Sequence, residues 1–216
     1  MNQLIKFVLF FLLSYGVLLF VFSSDSMRLS MNRLYSSTVQ KTIQIGLPSA
    51  HIETQNVFLP NKKIDPQKVY LVYGNPNTIK REIDEARRNR MGSVKISTHS
   101  TQFYCFELFT VPLLFILSLF LATPMNFKSK ALGCIISCTI LFIFVNVKTI
   151  LYAVSVISET HIGIYELSES SYNTVLRITS LLSLGFSVIL SFTLWLILGF
   201  RKSSFANSLN QIFEKL

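Results

Sequence analysis

The chain carries three cysteines and three histidines in 216 residues, and two of these six positions frame the chemistry open to it. Cys105 lies beside Tyr104 and two residues before Glu107. A cysteine attacks as the thiolate, so it needs a base or a cation to lower its pKa. His161 is the candidate base, in a loop with Glu159, Glu166 and Glu169. Lys148, two residues after Asn146, is the candidate cation. A lysine inside an apolar run is costly unless it snorkels or pairs, and Glu107 or Glu159 are the acids expected to pair with it. Gathered at one rim, Cys105, Asn146, Lys148 and His161 would suit acyl transfer on a polypeptide. The same residues also admit a plainer description, which the sequence favours: Cys105 packs, Lys148 snorkels and His161 is a loop residue. Cys134 and Cys138 stand four apart on one helical face. They are too few to hold a metal and badly placed for an unstrained disulfide, so they read as small packing residues. No cofactor is expected.

The elements that must position these residues are long apolar runs. Phe7–Phe22 follows a short, weakly basic start. Three more runs cover 103–123, 131–157 and 178–200. A bilayer's apolar core is about 30 Å thick and takes roughly 20 helical residues to cross. Lipid offers no partner for a bare peptide group, and continuous apolarity excludes the alternation of a barrel strand. The fold class expected is therefore an α-helical integral membrane protein with four transmembrane helices. A small α+β extracytoplasmic domain, residues 24–102, sits between the first and second.

Basic residues in short loops set the orientation. Lys128 and Lys130 follow the second run, and Arg201 and Lys202 follow the fourth. The loop Ser158–Leu176 carries Glu159, Glu166 and Glu169 and no Lys or Arg. Both termini are then expected in the cytoplasm and residues 24–102 outside it. Arg28 and Arg33 oppose this assignment, but a long translocated domain overrides such charges. Residues 1–23 are expected to be an uncleaved signal anchor rather than a signal peptide cut after Ser23.

Within 24–102, Met27, Met31, Leu34 and Tyr35 have helical spacing. Thr42–Ile45, His51–Leu59, Lys68–Tyr73 and Val94–Thr98 are expected strands. Asn75-Pro76 is an N-cap followed by proline at the first helical position, with Gly92 as the stop. On that helix Lys80–Asp84, Arg81–Glu85 and Asp84–Arg88 are spaced to pair. Arg87, Arg88 and Arg90 follow as candidate contacts for anionic lipid or an acidic partner, with Glu107 as a further contact residue. The formal net charge of +9 is assigned to topology and lipid, not to nucleic acid, because no basic–aromatic module is present. Residues 201–216 place Phe205, Leu209, Ile212, Phe213 and Leu216 on one face of a short interfacial helix.

Two resemblances follow. Cys105, then Asn146-Val147-Lys148, then His161, separated by spans, resembles the core of the exosortases and archaeosortases. Those membrane transpeptidases order a Cys, an Asn-x-x-Arg and a His near the outer face. The whole layout is also similar to the small membrane proteins associated with bacterial exosortase systems. That likeness rests on an anchor, an exported domain, a span ending Leu121-Ala122-Thr123-Pro124 and a basic loop. It implies a non-enzymatic accessory role in the inner membrane of a bacterium, with another membrane protein, an exosortase among the candidates, as partner. A divergent cysteine transpeptidase is the alternative.

Overall fold

The computed structural model describes residues 3–90, 93–94, 96–182 and 184–203. Helix α1 (Gln3–Phe22) stops at Ser23-Ser24. Asp25 then opens α2 (Asp25–Gly46). Strands β1 (His51–Phe58) and β2 (Ile64–Gly74) form a hairpin, followed by α3 (Pro76–Arg88) and β3 (His99–Tyr104). A π-helical turn (Phe106–Thr110) opens α4 (Val111–Ala122). Pro112 lies two residues past it, in the first turn of α4. Its ring clashes with the carbonyl four residues back, and widening the turn relieves that clash. Next come α5 (Phe127–Glu159), α6 (Glu169–Leu181) and α7 (Leu184–Leu198).

The chain divides into two compact units. The first comprises Met1–Arg28, Phe106–Val145 and Leu182–Leu216. Its core joins Ile116, Leu119 and Phe120 of α4 to Leu141 of α5 and to Leu194 and Trp195 of α7, with Phe7 and Phe11 of α1 packed against them. Phe7 stacks on Trp195 at 5.3 Å between ring centroids. Gly133 permits close approach, because a Cβ there would lie 2.8 Å from the Phe120 ring and 3.3 Å from the Leu198 carbonyl. Thr123 is fully buried at the end of α4. Its hydroxyl donates to the Leu119 carbonyl at 2.6 Å and accepts from Trp195 Nε1 at 2.7 Å. Lys130 Nζ donates to the Leu121 carbonyl at 3.0 Å, so a cation of the first turn of α5 closes a helix C-terminus that lipid could not satisfy.

The second unit comprises Leu29–Cys105 and Asn146–Leu181. Its antiparallel sheet has the order β1-β2-β3. The register sets Thr54 against Leu71 and Leu71 against Thr101, and likewise Asn56, Val69 and Phe103. One face therefore carries Ile52, Val69, Leu71, Tyr73 and Phe103, all buried. Both α2 and the later part of α5 pack on that face. Gln40 Oε1 accepts from Thr54, and Phe103 meets Tyr152 edge-on at 5.1 Å. On the other face α3 covers one end, with Ile79 against Gly74.

Several expectations need correction. Thr42–Ile45 is helical: Asn32, Tyr35, Val39 and Ile43 recur at helical spacing and are buried, so packing overrides β-branched propensity. The strand expected at Val94–Thr98 lies at His99–Tyr104 instead. Phe103 is thus a strand residue, and the apolar helix begins at Phe106. By length and composition two helices can cross a membrane, Leu4–Phe22 with 19 residues and Phe127–Glu159 with 33, or three if Glu169–Leu181 and Gly185–Leu198 are one broken span; Phe106–Ala122 is shorter. The four-span expectation is met only in this coarser form. The helix stop at Met91–Gly92 and the amphipathic face of 204–216 fall outside the described residues.

Thr123→Val removes the acceptor for the Trp195 indole and should lower stability by about 1 kcal/mol, the scale of interhelical hydrogen bonds in bilayers. Thr123→Ser should restore it. Unfolding of the full chain in mixed micelles by a denaturing detergent provides the check.

Candidate functional site

Cys105 follows β3 directly and is only 3% exposed. The thiol lies 3.8 Å from the Phe103 carbonyl, its acceptor. Burial pushes it up to about 12, and the Asp65 carboxylate adds to the rise. Around it stand residues of α2 and α5. Tyr35 Oη and Thr149 Oγ1 are 3.1 Å apart, and burial, reinforced by Cys105, raises the Tyr35 phenol. Asn32 of α2 donates through Nδ2 to the Lys68 carbonyl at 3.1 Å and, more weakly, to that of Asp65. The side chains of Asn32, Asp65, Asn146 and Thr149 are all buried here. This polar seam seats α2 and α5 on the sheet. Near neutral pH the thiol within it stays protonated.

His161 is not part of this seam. It lies just past the end of α5, exposed and in a left-handed conformation with φ 48°. Two further left-handed residues follow, Gly163 at φ 79° and Tyr165 at φ 50°. Side chains hold the loop in this conformation. Asn75 Nδ2 donates to the Ile162 carbonyl at 3.0 Å, while its Oδ1 caps the Asn77 N–H. The Ser49 N–H donates to Tyr165 Oη at 3.0 Å, Gly163 N to Glu166 at 3.2 Å, and Leu167 N to Ser158 at 3.0 Å. Tyr73 lies beside Thr160 at the same end. Strained backbone over-determined by such contacts is common at functional positions. The sequence signals for this clamp, a capping Asn and a Gly between two bulky residues, are visible only once the partners are known.

The sheet register fixes the distance between the two places. Cys105 adjoins Tyr104, which pairs with Lys68, whereas His161 adjoins the end of β2 at Tyr73 and Gly74. Along the strand the separation is roughly 20 Å at about 3.3 Å per residue. Cys105 and His161 therefore occupy opposite ends of the sheet, and the expected gathering of Cys105, Asn146, Lys148 and His161 is not formed. Lys148 is half-buried on α5. The expected pairing with Glu107 or Glu159 is also not made, because Arg81–Glu85 at 3.9 Å is the only ion pair among the described residues.

The same fact leaves Lys80–Asp84 and Asp84–Arg88 unpaired on α3. Arg87 and Arg88 occupy its last turn, where the helix dipole favours cations. Both are exposed, as are Arg90 and Glu107. Glu82 is engaged elsewhere: the Ser97 hydroxyl and N–H both donate to it, which holds its carboxyl below the usual range. Among the described residues no group of three or more His, Cys, Asp and Glu is placed to hold a metal ion.

Two outcomes follow. In the folded state the Cys105 thiol keeps its proton from the ordinary thiol value of 9.0 up to about 12. Wild type should therefore lose stability relative to Cys105→Ala as pH rises through that window, with the difference between the two constant below it. Native protein should also resist maleimide near neutral pH at Cys105 and accept it once unfolded. Separately, Asn75→Asp keeps the helix cap but loses the donor to Ile162. Faster amide exchange confined to 160–168 is expected, equivalent to about 1 kcal/mol, whereas Asn75→Ala should loosen α3 as well.

No known family, curated protein or solved structure matches the chain, so the functional reading rests on the residues themselves.

Proposed function

We propose that this chain is a non-enzymatic, multi-pass protein of a bacterial inner membrane that binds or positions a partner in exosortase-type protein sorting or envelope assembly. One observation carries the non-enzymatic part: the Cys105 thiol is buried, raised to about 12 and roughly 20 Å of strand from the His161 that would have to activate it. The partner would be another membrane protein, an exosortase among the candidates, with lipid around the spans. Exposed Arg87, Arg88, Arg90 and Glu107 are the charged groups offered for contact.

The proposed topology has four spans, α1, the π turn with α4, the first part of α5, and α7. Both termini are cytoplasmic, and the sheet-bearing unit lies outside. Support comes from charge. Lys128 and Lys130 flank the start of α5, while Glu159, Glu166 and Glu169 surround its far end. Residues Phe127–Val145 of α5 belong to the apolar unit and Asn146–Glu159 to the sheet unit. The first portion alone spans about 28 Å at 1.5 Å per residue, close to the thickness of a bilayer core.

Crosslinking in cells, followed by purification and mass spectrometry, tests the reading with wild type and Cys105→Ser side by side. A multi-span protein recovered equally from both is expected. A polypeptide joined through a thioester, and present only when Cys105 is intact, would replace the accessory role with a transpeptidase.

A further inference from the structure

The turn between β1 and β2 presents apolar side chains to solvent beside two cations. Phe58 is 64% exposed and Leu59 38%. Pro60, Asn61, Lys62 and Lys63 complete the tip, all exposed. The backbone of this tip is fixed. Leu59 N donates to the Lys63 carbonyl at 2.8 Å and Lys62 N to the Leu59 carbonyl at 2.9 Å. Lys63 N donates to Asn61 Oδ1 at 3.1 Å, and Lys62 takes a left-handed φ of 62°. The register pairs Phe58 with Ile64, with an irregularity between Asn56 and Phe58. The carboxylate closest in sequence, Asp65, is buried and accepts from the Gln67 N–H, and no ion pair of Lys62 or Lys63 is made among the described residues.

Its position in the unit names the occupant. Lys68 pairs with Tyr104, and the chain leaves β3 at that end for the apolar helix that begins at Phe106. Asn32, near the start of α2, binds the Asp65 and Lys68 carbonyls at the same end. Tyr35 meets Thr149 close to where α5 joins the unit at Asn146. Every passage of the chain between this sheet and the α1, α4 and α5 apolar segments thus lies at the end of the sheet from which the tip projects.

We infer that the Phe58–Lys63 tip docks on the bilayer that the chain itself crosses. Phe58 and Leu59 enter the boundary between headgroups and acyl chains, and Lys62 and Lys63 meet anionic headgroup phosphates. A fixed apolar tip with flanking lysines gains from both contacts, as interfacial segments do. The inference goes beyond the partner-binding reading and does not rest on it; it needs only that the chain enters the membrane after Tyr104.

The test uses the full chain in nanodiscs of phosphatidylcholine with phosphatidylglycerol. Phe58→Trp adds an indole at the tip, and the spectrum of the parent protein is subtracted to remove Trp195. Circular dichroism melting equal to the parent confirms folding. The added emission should be shifted to the blue, and brominated lipid should quench most of it. Omitting phosphatidylglycerol, or adding Lys62→Gln with Lys63→Gln, should abolish most of that quenching. Water-like emission that brominated lipid leaves untouched would overturn the assignment. Quenching that survives both neutral lipid and the lysine substitutions would overturn the headgroup contact.

Discussion

A helix of 33 residues is about 50 Å long, and the apolar core of a bilayer is about 30 Å thick. Much else in this protein follows from that mismatch in α5. Its sequence changes along its length in the way the mismatch requires. Past the lysines of its first turn, from Ala131 to Val145, the exposed side chains are apolar except Thr139, with Leu132, Ile135 and Ile143 more than half exposed. From Asn146 onward the helix carries Asn146, Lys148, Thr149, Tyr152, Ser155 and Ser158, and this stretch belongs to the sheet unit. There Thr149 meets Tyr35, Tyr152 reaches Thr101 and Phe103, and Ser158 accepts from Leu167. Polar groups that would be costly in lipid have partners in protein.

The chemistry is shaped by the same packing. Cys105 sits where β3 gives way to helix, beneath α2 and α5, and the burial that completes this junction raises its thiol. A reactive cysteine needs the reverse: partial exposure and a nearby positive charge. The loop that carries His161 instead holds the far end of the sheet through Asn75, Tyr165 and Ser158. In the apolar unit, Thr123, Trp195 and Lys130 close backbone and side-chain hydrogen bonds at the end of α4. Polar residues in both units therefore serve satisfaction of buried groups.

Local signals in the sequence were legible where local physics decides. The β-branched and aromatic run Lys68–Tyr73 marked a strand that the structure extends to Ile64–Gly74. Asn75-Pro76 capped a helix where a capping Asn and an N1 proline should. Two of the four apolar runs, Phe7–Phe22 and 131–157, fall in helices long and apolar enough to cross a membrane, but the ends of the runs did not follow hydropathy. Phe103 is apolar because it packs on Tyr152, and the 131–157 run is apolar in its later part because Ala153 and Ile157 are buried in the sheet unit. A soluble core and a bilayer select the same side chains, so composition alone cannot separate them. The grouping of Cys105 with His161 failed for a related reason. Two residues at the outer end of apolar runs look adjacent in a linear map, and only the pairing of Lys68 with Tyr104 reveals that a whole strand lies between them.

Nitroxide accessibility along α5 tests the division of that helix most directly. Labels at Ile135, Ile143, Val154 and Glu159, in full chain lacking its native cysteines and placed in nanodiscs, report collision with oxygen or with a water-soluble nickel chelate. Oxygen should dominate at Ile135 and Ile143, and both relaxants should fall at Val154, which is half-buried in the sheet unit between the buried Ala153 and Ser155. The nickel chelate should dominate at Glu159. Oxygen dominance continuing unchanged through Val154 to Glu159 would put the whole helix in lipid and contradict the account.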